Sequence, residues 1–180
     1  MEIIKTSIED LVILQPRVFE DERGYFMESF KKSFFEDHYP NLKFIQDNES
    51  KSTYGVLRGL HFQKPPFEQT KLVRVIQGEV LDVAVDLRPH SETFGKYESV
   101  ILSEENKKQF LIPKGFAHGF IVLSEEAIFS YKVDNYYAPK HDSGILYNSL
   151  DIDWIIPSKD IIISEKDQNL KTLKHYFNHV

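Results

Sequence analysis

The chain has 180 residues, of which 41% are apolar and 28% charged, and its formal net charge is −6 at pH 7. That length suffices for one domain with a sizeable core, residues 1–180, while the acidic balance argues against a nucleic-acid binder, whose affinity rests on a basic field. The lack of cysteine removes disulfides, zinc–thiolate sites, iron–sulfur clusters and cysteine nucleophiles. With no signal-peptide layout at Met1-Glu2-Ile3-Ile4-Lys5 and no apolar run of membrane-spanning length, a cytoplasmic protein without a membrane partner is expected.

Ile3-Ile4 and Leu11 to Leu14 read as short strands, the second stopped by Pro16. Asp21-Glu22-Arg23-Gly24 is a turn followed by an alternating strand. Lys31 to His38 has helical spacing and ends before Pro40. Phe44 to Ser52 is expected to pass from strand into a loop dense in amides and hydroxyls, suited to capping turns or to binding a polar ligand. Val56-Leu57-Arg58-Gly59-Leu60-His61-Phe62-Gln63 reads as a strand in which three polar residues stand where a plain core strand would carry valines. Period-two alternation puts His61 and Gln63 on one side and Arg58 on the other, so both Arg58 and His61 can face one cavity only if the strand is irregular near Gly59.

After Pro65-Pro66 a strand resumes over Thr70 to Ile76, and a Gln77-Gly78-Glu79 turn leads into Val80 to Leu87. There Leu81, Val83, Val85 and Leu87 share one face, and Asp82, Ala84 and Asp86 the other. Tyr97 to Leu102, Gln109 to Ile112, Phe120 to Leu123 and Ala127 to Val133 follow as strands. Many short strands with no crossover helices imply an all-β antiparallel sandwich or barrel. Asp160 to Ile163 is a candidate last strand, and Ser164-Glu165-Lys166-Asp167 opens a C-terminal helix with Ser164 as N-cap.

The chain has no GxSxG elbow, no GxGxxG and no phosphate loop. None of the seven histidines lies two positions from another. His175 and His179 have the spacing of a helical metal pair but no third ligand nearby, so no metal is expected. What remains is a set of polar residues on apolar strands: His61, Lys71, His118 and Tyr131. Taken singly they read as a satisfied core histidine, a snorkelling lysine and a core tyrosine bonded to a backbone carbonyl. Together they place a base, an ammonium and a phenol in one barrel, a combination suited to proton transfer next to a carbonyl.

Asp21 to Gly24, Gln46-Asp47-Asn48, Arg58 to Gln63, Lys71-Leu72-Val73, Asp82 to Arg88, Pro113 to Phe120, Tyr131-Lys132, Tyr136-Tyr137 and Ser164 to Asp167 occur in an order, from about Ile3 to Asp167, that resembles the dTDP-4-dehydrorhamnose 3,5-epimerase family. The resemblance implies a cupin-like jelly-roll barrel with short peripheral helices, including a C-terminal one. It also implies a homodimer and epimerisation, without cofactor, at C3 and C5 of dTDP-4-keto-6-deoxyglucose in dTDP-rhamnose biosynthesis. By position, His61 is similar to the family's base, Asp167 to the carboxylate that orients it, Tyr131 to the acid and Lys71 to the group that stabilises the C4 enolate. Arg23, Glu28, Gln46, Asn48, Arg58, His118 and Lys166 match positions that hold the nucleotide sugar. One of Tyr136 and Tyr137, with Tyr137 the preferred position, matches the residue that stacks on the base. Asp142 stands where the family often has a glutamate, in another substrate-binding position, and Tyr147 where it often has a tryptophan. An epimerase acting at one carbon only, or on a GDP- or CDP-linked 4-keto sugar, would share these motifs. A non-catalytic nucleotide-sugar binder and a metal-dependent cupin oxygenase are the alternatives from other classes.

Overall fold

The protein is described by a computed structural model covering residues 1–177. Fourteen strands dominate: β1 (Glu2–Lys5), β2 (Val12–Gln15), β3 (Val18–Asp21), β4 (Gly24–Met27), then helix α1 (Lys32–His38), β5 (Gln46–Thr53), β6 (Val56–Gln63), β7 (Lys71–Gln77), β8 (Glu79–Asp86), β9 (Tyr97–Ser103), β10 (Gln109–Ile112), β11 (Phe116–Val122), β12 (Glu126–Val133), β13 (Asp142–Gly144) and β14 (Ile162–Ile163). Helices α2 (Glu165–Gln168) and α3 (Leu173–Phe177) follow. One sheet runs β1-β2-β10-β7-β12-β5 and the other β13-β6-β11-β8-β9, with β14 added parallel to β6. The β3–β4 hairpin forms a separate two-stranded sheet.

The two large sheets face one another across Val73, Val75 and Phe129 from the first and Val80, Ala84, Phe116, Phe120 and Val122 from the second. This is sandwich packing, with inward side chains of both sheets filling a common layer. The outer face of the second sheet is equally apolar and lies beneath the C-terminal segment, where Leu81, Val83 and Val85 pack against Ile145, Ile152, Trp154 and Leu173. Tyr147 joins that cover, its ring centroid 6.4 Å from that of Trp154. On the outer face of the first sheet, Leu14, Leu72 and Leu111 receive Phe35 of α1. Both faces of β8 are therefore buried: Leu81, Val83 and Val85 point outward under the C-terminal cover, and the Asp82 face points inward with no solvent exposure at all.

The amide- and hydroxyl-rich stretch expected to become a loop is instead a strand, β5, paired with β12 along its whole length from Gln46↔Val133 to Thr53↔Glu126. Its polar composition is that of an edge strand: Asp47, Glu49, Lys51 and Thr53 face solvent, while Gln46, Asn48, Ser50 and Ser52 are more buried on the opposite side. The expected last strand shrinks to Ile162–Ile163 after a 3-10 turn at Ser158–Asp160. As expected, Ser164 caps α2, its hydroxyl oxygen accepting from the Asp167 N–H at 3.1 Å.

Candidate active site

β6 is irregular where its polar residues require it to be. Its register against β11 passes from His118↔His61 to Phe120↔Arg58, so β6 spends one more residue than its partner between these pairs. Such a bulge reverses side-chain parity beyond it. Arg58 and His61, three positions apart, consequently line the same cleft between the sheets. Gly59 sits at the irregularity with φ +135°, and the Gly59–Leu60 peptide is cis. A Cβ at Gly59 would lie 2.6 Å from Gly119 Cα, so glycines on both strands permit the close approach.

The cleft has a volume of about 550 Å³. From the second sheet it receives Arg58 and His61 of β6 and His118 of β11, and from the first sheet Lys71 of β7 and Tyr131 of β12. Lys166 and Asp167 of α2 close one side. In a chain of net charge −6, the cationic side chains Arg58, Lys71 and Lys166 gather in the cleft, where an anionic ligand would need them.

His61 Nε2 lies 2.7 Å from Asp167 Oδ1. The carboxylate requires a proton on Nε2, so Nδ1 carries the free lone pair. Asp167 is itself held by α2 and accepts a second hydrogen bond, from the Gly59 N–H at 3.3 Å. Burial pushes its carboxyl up, but the hydrogen bonds from His61 and Gly59 outweigh this and hold it below the usual carboxylate range. Burial depresses the Lys71 ammonium to about 8, with Asp82 and Asp142 holding it up against that effect. Burial raises the Tyr131 phenol, which Arg58 partly offsets, so the side chain is a neutral proton carrier at pH 7.

His118 reaches Asp82 with Nε2 at 2.9 and 3.0 Å from its two oxygens. Burial lowers this imidazole, Asp82 opposes that, and Lys71 and His61 lower it further. Asp82 did not figure among the candidate residues. The available signal was a strictly alternating strand whose polar side repeats aspartate at positions 82 and 86, which only a buried polar network or a site would tolerate.

Of the residues singled out in the sequence, the cleft lining brings together His61, Asp167, Lys71, Tyr131, Arg58, His118 and Lys166. The others lie off that lining within one copy of the chain. Arg23 sits at the tip of the β3–β4 hairpin with its side chain 85% exposed and paired to Asp21. Glu28 faces Lys31 at 3.3 Å. Gln46 donates to Asn48 at 2.8 Å on the inward side of β5, and Asn48 is the register partner of Tyr131. Asp142 accepts from both Lys166, which lines the cleft, and Tyr137. Burial and then the Asp142 hydrogen bond raise the Tyr137 phenol, and the pairing with Asp142 raises the Lys166 ammonium. Among the described residues no group of three or more His, Cys, Asp or Glu side chains is placed to hold a metal ion. The expected tail pair cannot be assessed as a pair, because His179 lies outside the described residues. No helix among the described residues is long and apolar enough to cross a membrane.

A double-sheet barrel with a carboxylate-held imidazole on one sheet and a half-buried phenol on the other has the architecture of a cupin-like sugar-nucleotide isomerase. Comparison with known proteins narrows this class. Residues 5–175 match the family model described as dTDP-4-dehydrorhamnose 3,5-epimerase. The chain is 55% identical over 177 residues to the dTDP-4-dehydrorhamnose 3,5-epimerase of Escherichia coli K12, covering 96% of this chain and 95% of that one. Among solved structures, the enzyme of that name from Elizabethkingia anophelis superposes with a TM-score of 0.93 at 54% identity, covering 97% of both chains. A Legionella pneumophila dTDP-6-deoxy-D-glucose-3,5-epimerase, solved in complex with dTDP-4-keto-L-rhamnose, gives 0.92 at 49% identity, covering 96% of this chain and 93% of that one. The chain belongs to the dTDP-4-dehydrorhamnose 3,5-epimerase family.

Proposed function

We propose that this chain is a cofactor-independent epimerase that converts dTDP-4-keto-6-deoxy-D-glucose into dTDP-4-keto-L-rhamnose by inverting C3 and C5. The observation that carries the reading is the placement of His61, backed by Asp167, on one sheet and Tyr131 on the other, both lining one cleft. A base and an acid on opposite walls can remove a proton from one face of a sugar ring and return one to the other. The 4-keto group acidifies the neighbouring C–H bonds. His61 Nδ1 takes the proton, the electron pair moves to the C4 oxygen, and the Lys71 ammonium stabilises the resulting enolate. Tyr131 then donates its hydroxyl proton to the opposite face, and exchange with water restores both groups. Arg58 and Lys166 supply the charge that anchors the diphosphate, and His118 contacts the sugar. Gln46, Asn48, Tyr137 and Asp142 extend the site from the cleft toward the nucleoside, with Tyr137 stacking on the base.

Arg23 and Glu28 belong to this site only if a second copy of the chain delivers them. The β3–β4 hairpin pairs with no strand of either large sheet and exposes Phe19, Tyr25 and Phe26 by 49%, 54% and 64%. Aromatic surface of that extent suits an interface, and a homodimer exchanging this segment completes the cleft. The chain acts as one jelly-roll domain in the cytoplasm.

The test is incubation with dTDP-4-keto-6-deoxyglucose in deuterated water. Deuterium at both C3 and C5 with inverted product is expected. Label at one carbon alone would assign a mono-epimerase, and no label at either would remove the catalytic reading.

A further inference from the structure

Gln63 ends the strand that carries Arg58 and His61, and nothing in the chemistry above uses it. It is nevertheless only 6% exposed, and its side-chain amide is fully engaged. Nε2 donates to the carbonyl oxygens of Phe67, at 2.7 Å, and Tyr136, at 3.1 Å. Oε1 accepts from the Ala138 N–H at 2.6 Å. The two bonds to Tyr136 and Ala138 fall on the residues immediately before and after Tyr137. Opposite Gln63 in the β6–β13 register stands Asp142, which accepts the Tyr137 hydroxyl at 3.1 Å. Tyr137 is thereby held by its backbone from one strand position and by its hydroxyl from the position paired with it, while the residue remains 56% exposed.

We propose that Gln63 is a positioning residue for nucleoside recognition: its amide clamps the backbone on both sides of Tyr137 and so presents the ring at the mouth of the cleft as a preformed stacking face for a nucleobase. The proposal rests on the reading of Tyr137 as the base contact. The surroundings of Gln63 require an amide. Two carbonyl oxygens demand two donors and one N–H demands an acceptor, and glutamine is the side chain of this reach that supplies both. A carboxylate would turn an acceptor toward two carbonyls, and an apolar side chain would leave three backbone groups unpaired. A ring fixed before binding loses little conformational freedom when a base stacks on it, so the clamp acts on affinity for the nucleoside.

The experiment uses the full chain and two probes, dTDP and inorganic pyrophosphate, with Gln63→Glu, Tyr137→Ala and the double variant. Gln63→Glu is expected to weaken dTDP binding about tenfold, to raise KM by a similar factor and to change kcat by less than about twofold, with pyrophosphate binding unchanged. In the Tyr137→Ala background the same substitution is expected to add little further loss, because both act through one ring. Gln63→Met carries the same expectations and replaces the glutamate variant if that one does not fold. Equal weakening of dTDP and pyrophosphate, or full additivity with Tyr137→Ala, would show a general structural role and overturn the proposal. A large effect of Tyr137→Ala with none from either Gln63 variant would overturn the clamp while leaving the stacking assignment intact. No effect of Tyr137→Ala on dTDP binding would remove the stacking assignment and the clamp with it.

Discussion

Asp167 Oδ1 stands 2.7 Å from His61 Nε2, joining residues 106 positions apart in the chain. The pairing does two things for a base: it selects the tautomer with Nδ1 unprotonated, and it stabilises the imidazolium formed when the proton arrives. Asp167→Asn removes the negative charge and permits the wrong tautomer. It is expected to lower kcat by roughly 10²–10⁴-fold, the range a positioned general base contributes, with a much smaller change in KM. His61→Ala is expected to abolish deuterium exchange at both C3 and C5. Exchange at either carbon in that variant would show that another group is the base.

Lys71 links activity and stability to pH with opposite signs. In the proposed mechanism its ammonium, depressed to about 8 in the free chain, must be charged to stabilise an enolate, so kcat/KM is expected to fall as pH rises through about 8. The folded pKa lies below the ordinary 10.5, so the unfolded chain binds more protons between these values. Stability therefore rises with pH across the window from about 8 to 10.5. The gap between those values sets an upper limit of about 3 kcal/mol on what the charged lysine costs the fold below pH 8. Lys71→Met is expected to raise the melting temperature at pH 7 while lowering kcat about 10²–10³-fold. A loss of thermal stability would contradict the burial argument.

Of the two carboxylates that support that charge, Asp82 has the larger effect. Its removal in Asp82→Asn keeps an acceptor for His118 but withdraws the negative charge that holds the Lys71 ammonium up. The alkaline fall in kcat/KM is expected to move to lower pH in this variant, as a pH–rate profile would record. An unshifted profile would mean that Asp82 acts on His118 alone.

The strands and the two sheet faces were legible because burial imposes a period of two on them, most clearly along β8. The site was legible as a conflict, since Arg58 and His61 cannot share a face on a regular strand, and the bulge is how the chain resolves it. Two features were hidden. β5 looked like a loop because side-chain amides and hydroxyls serve turns, ligands and edge strands alike, and only its pairing with β12 distinguishes these uses. Asp82 read only as part of the polar face of its strand, because alternation cannot say which face has a second sheet or a cleft beyond it. Arg23 and Glu28 lie off the cleft lining of a single copy, and no local pattern encodes what a second copy would bring.

In the proposed mechanism Tyr131 separates the first half of the reaction from the second. Proton removal by His61 does not need the phenol, whereas delivery to the opposite face does. Tyr131→Phe is therefore expected to retain measurable deuterium wash-in while net epimerisation falls by about 10²-fold or more. Measured by mass spectrometry and product configuration in the same reaction, parallel loss of both would place Tyr131 on the abstraction side instead.

Gly59 tests whether the bulge itself matters. At φ +135° it adopts a conformation costly to any side chain, and an added Cβ would stand 2.6 Å from Gly119 Cα and 3.0 Å from the His118 carbonyl oxygen. Both contacts are backbone, so neither can move aside without shifting β11 and the His118 ring with it. Gly24 provides the control, since it has φ +121° but no atom within 4 Å of an added Cβ. Gly24→Ala is expected to cost only the conformational penalty, on the order of 1 kcal/mol. Gly59→Ala adds displacement of a packed strand and is expected to cost about 2–4 kcal/mol, roughly 5–15 °C in melting temperature for a chain of this size. The surviving folded enzyme is also expected to lose kcat, because regularising β6 would return Arg58 and His61 to opposite faces. Equal melting temperatures for the two alanine variants would show that β6 and β11 can part without cost, and that the glycine pair is not what holds the arginine and the histidine over one cleft.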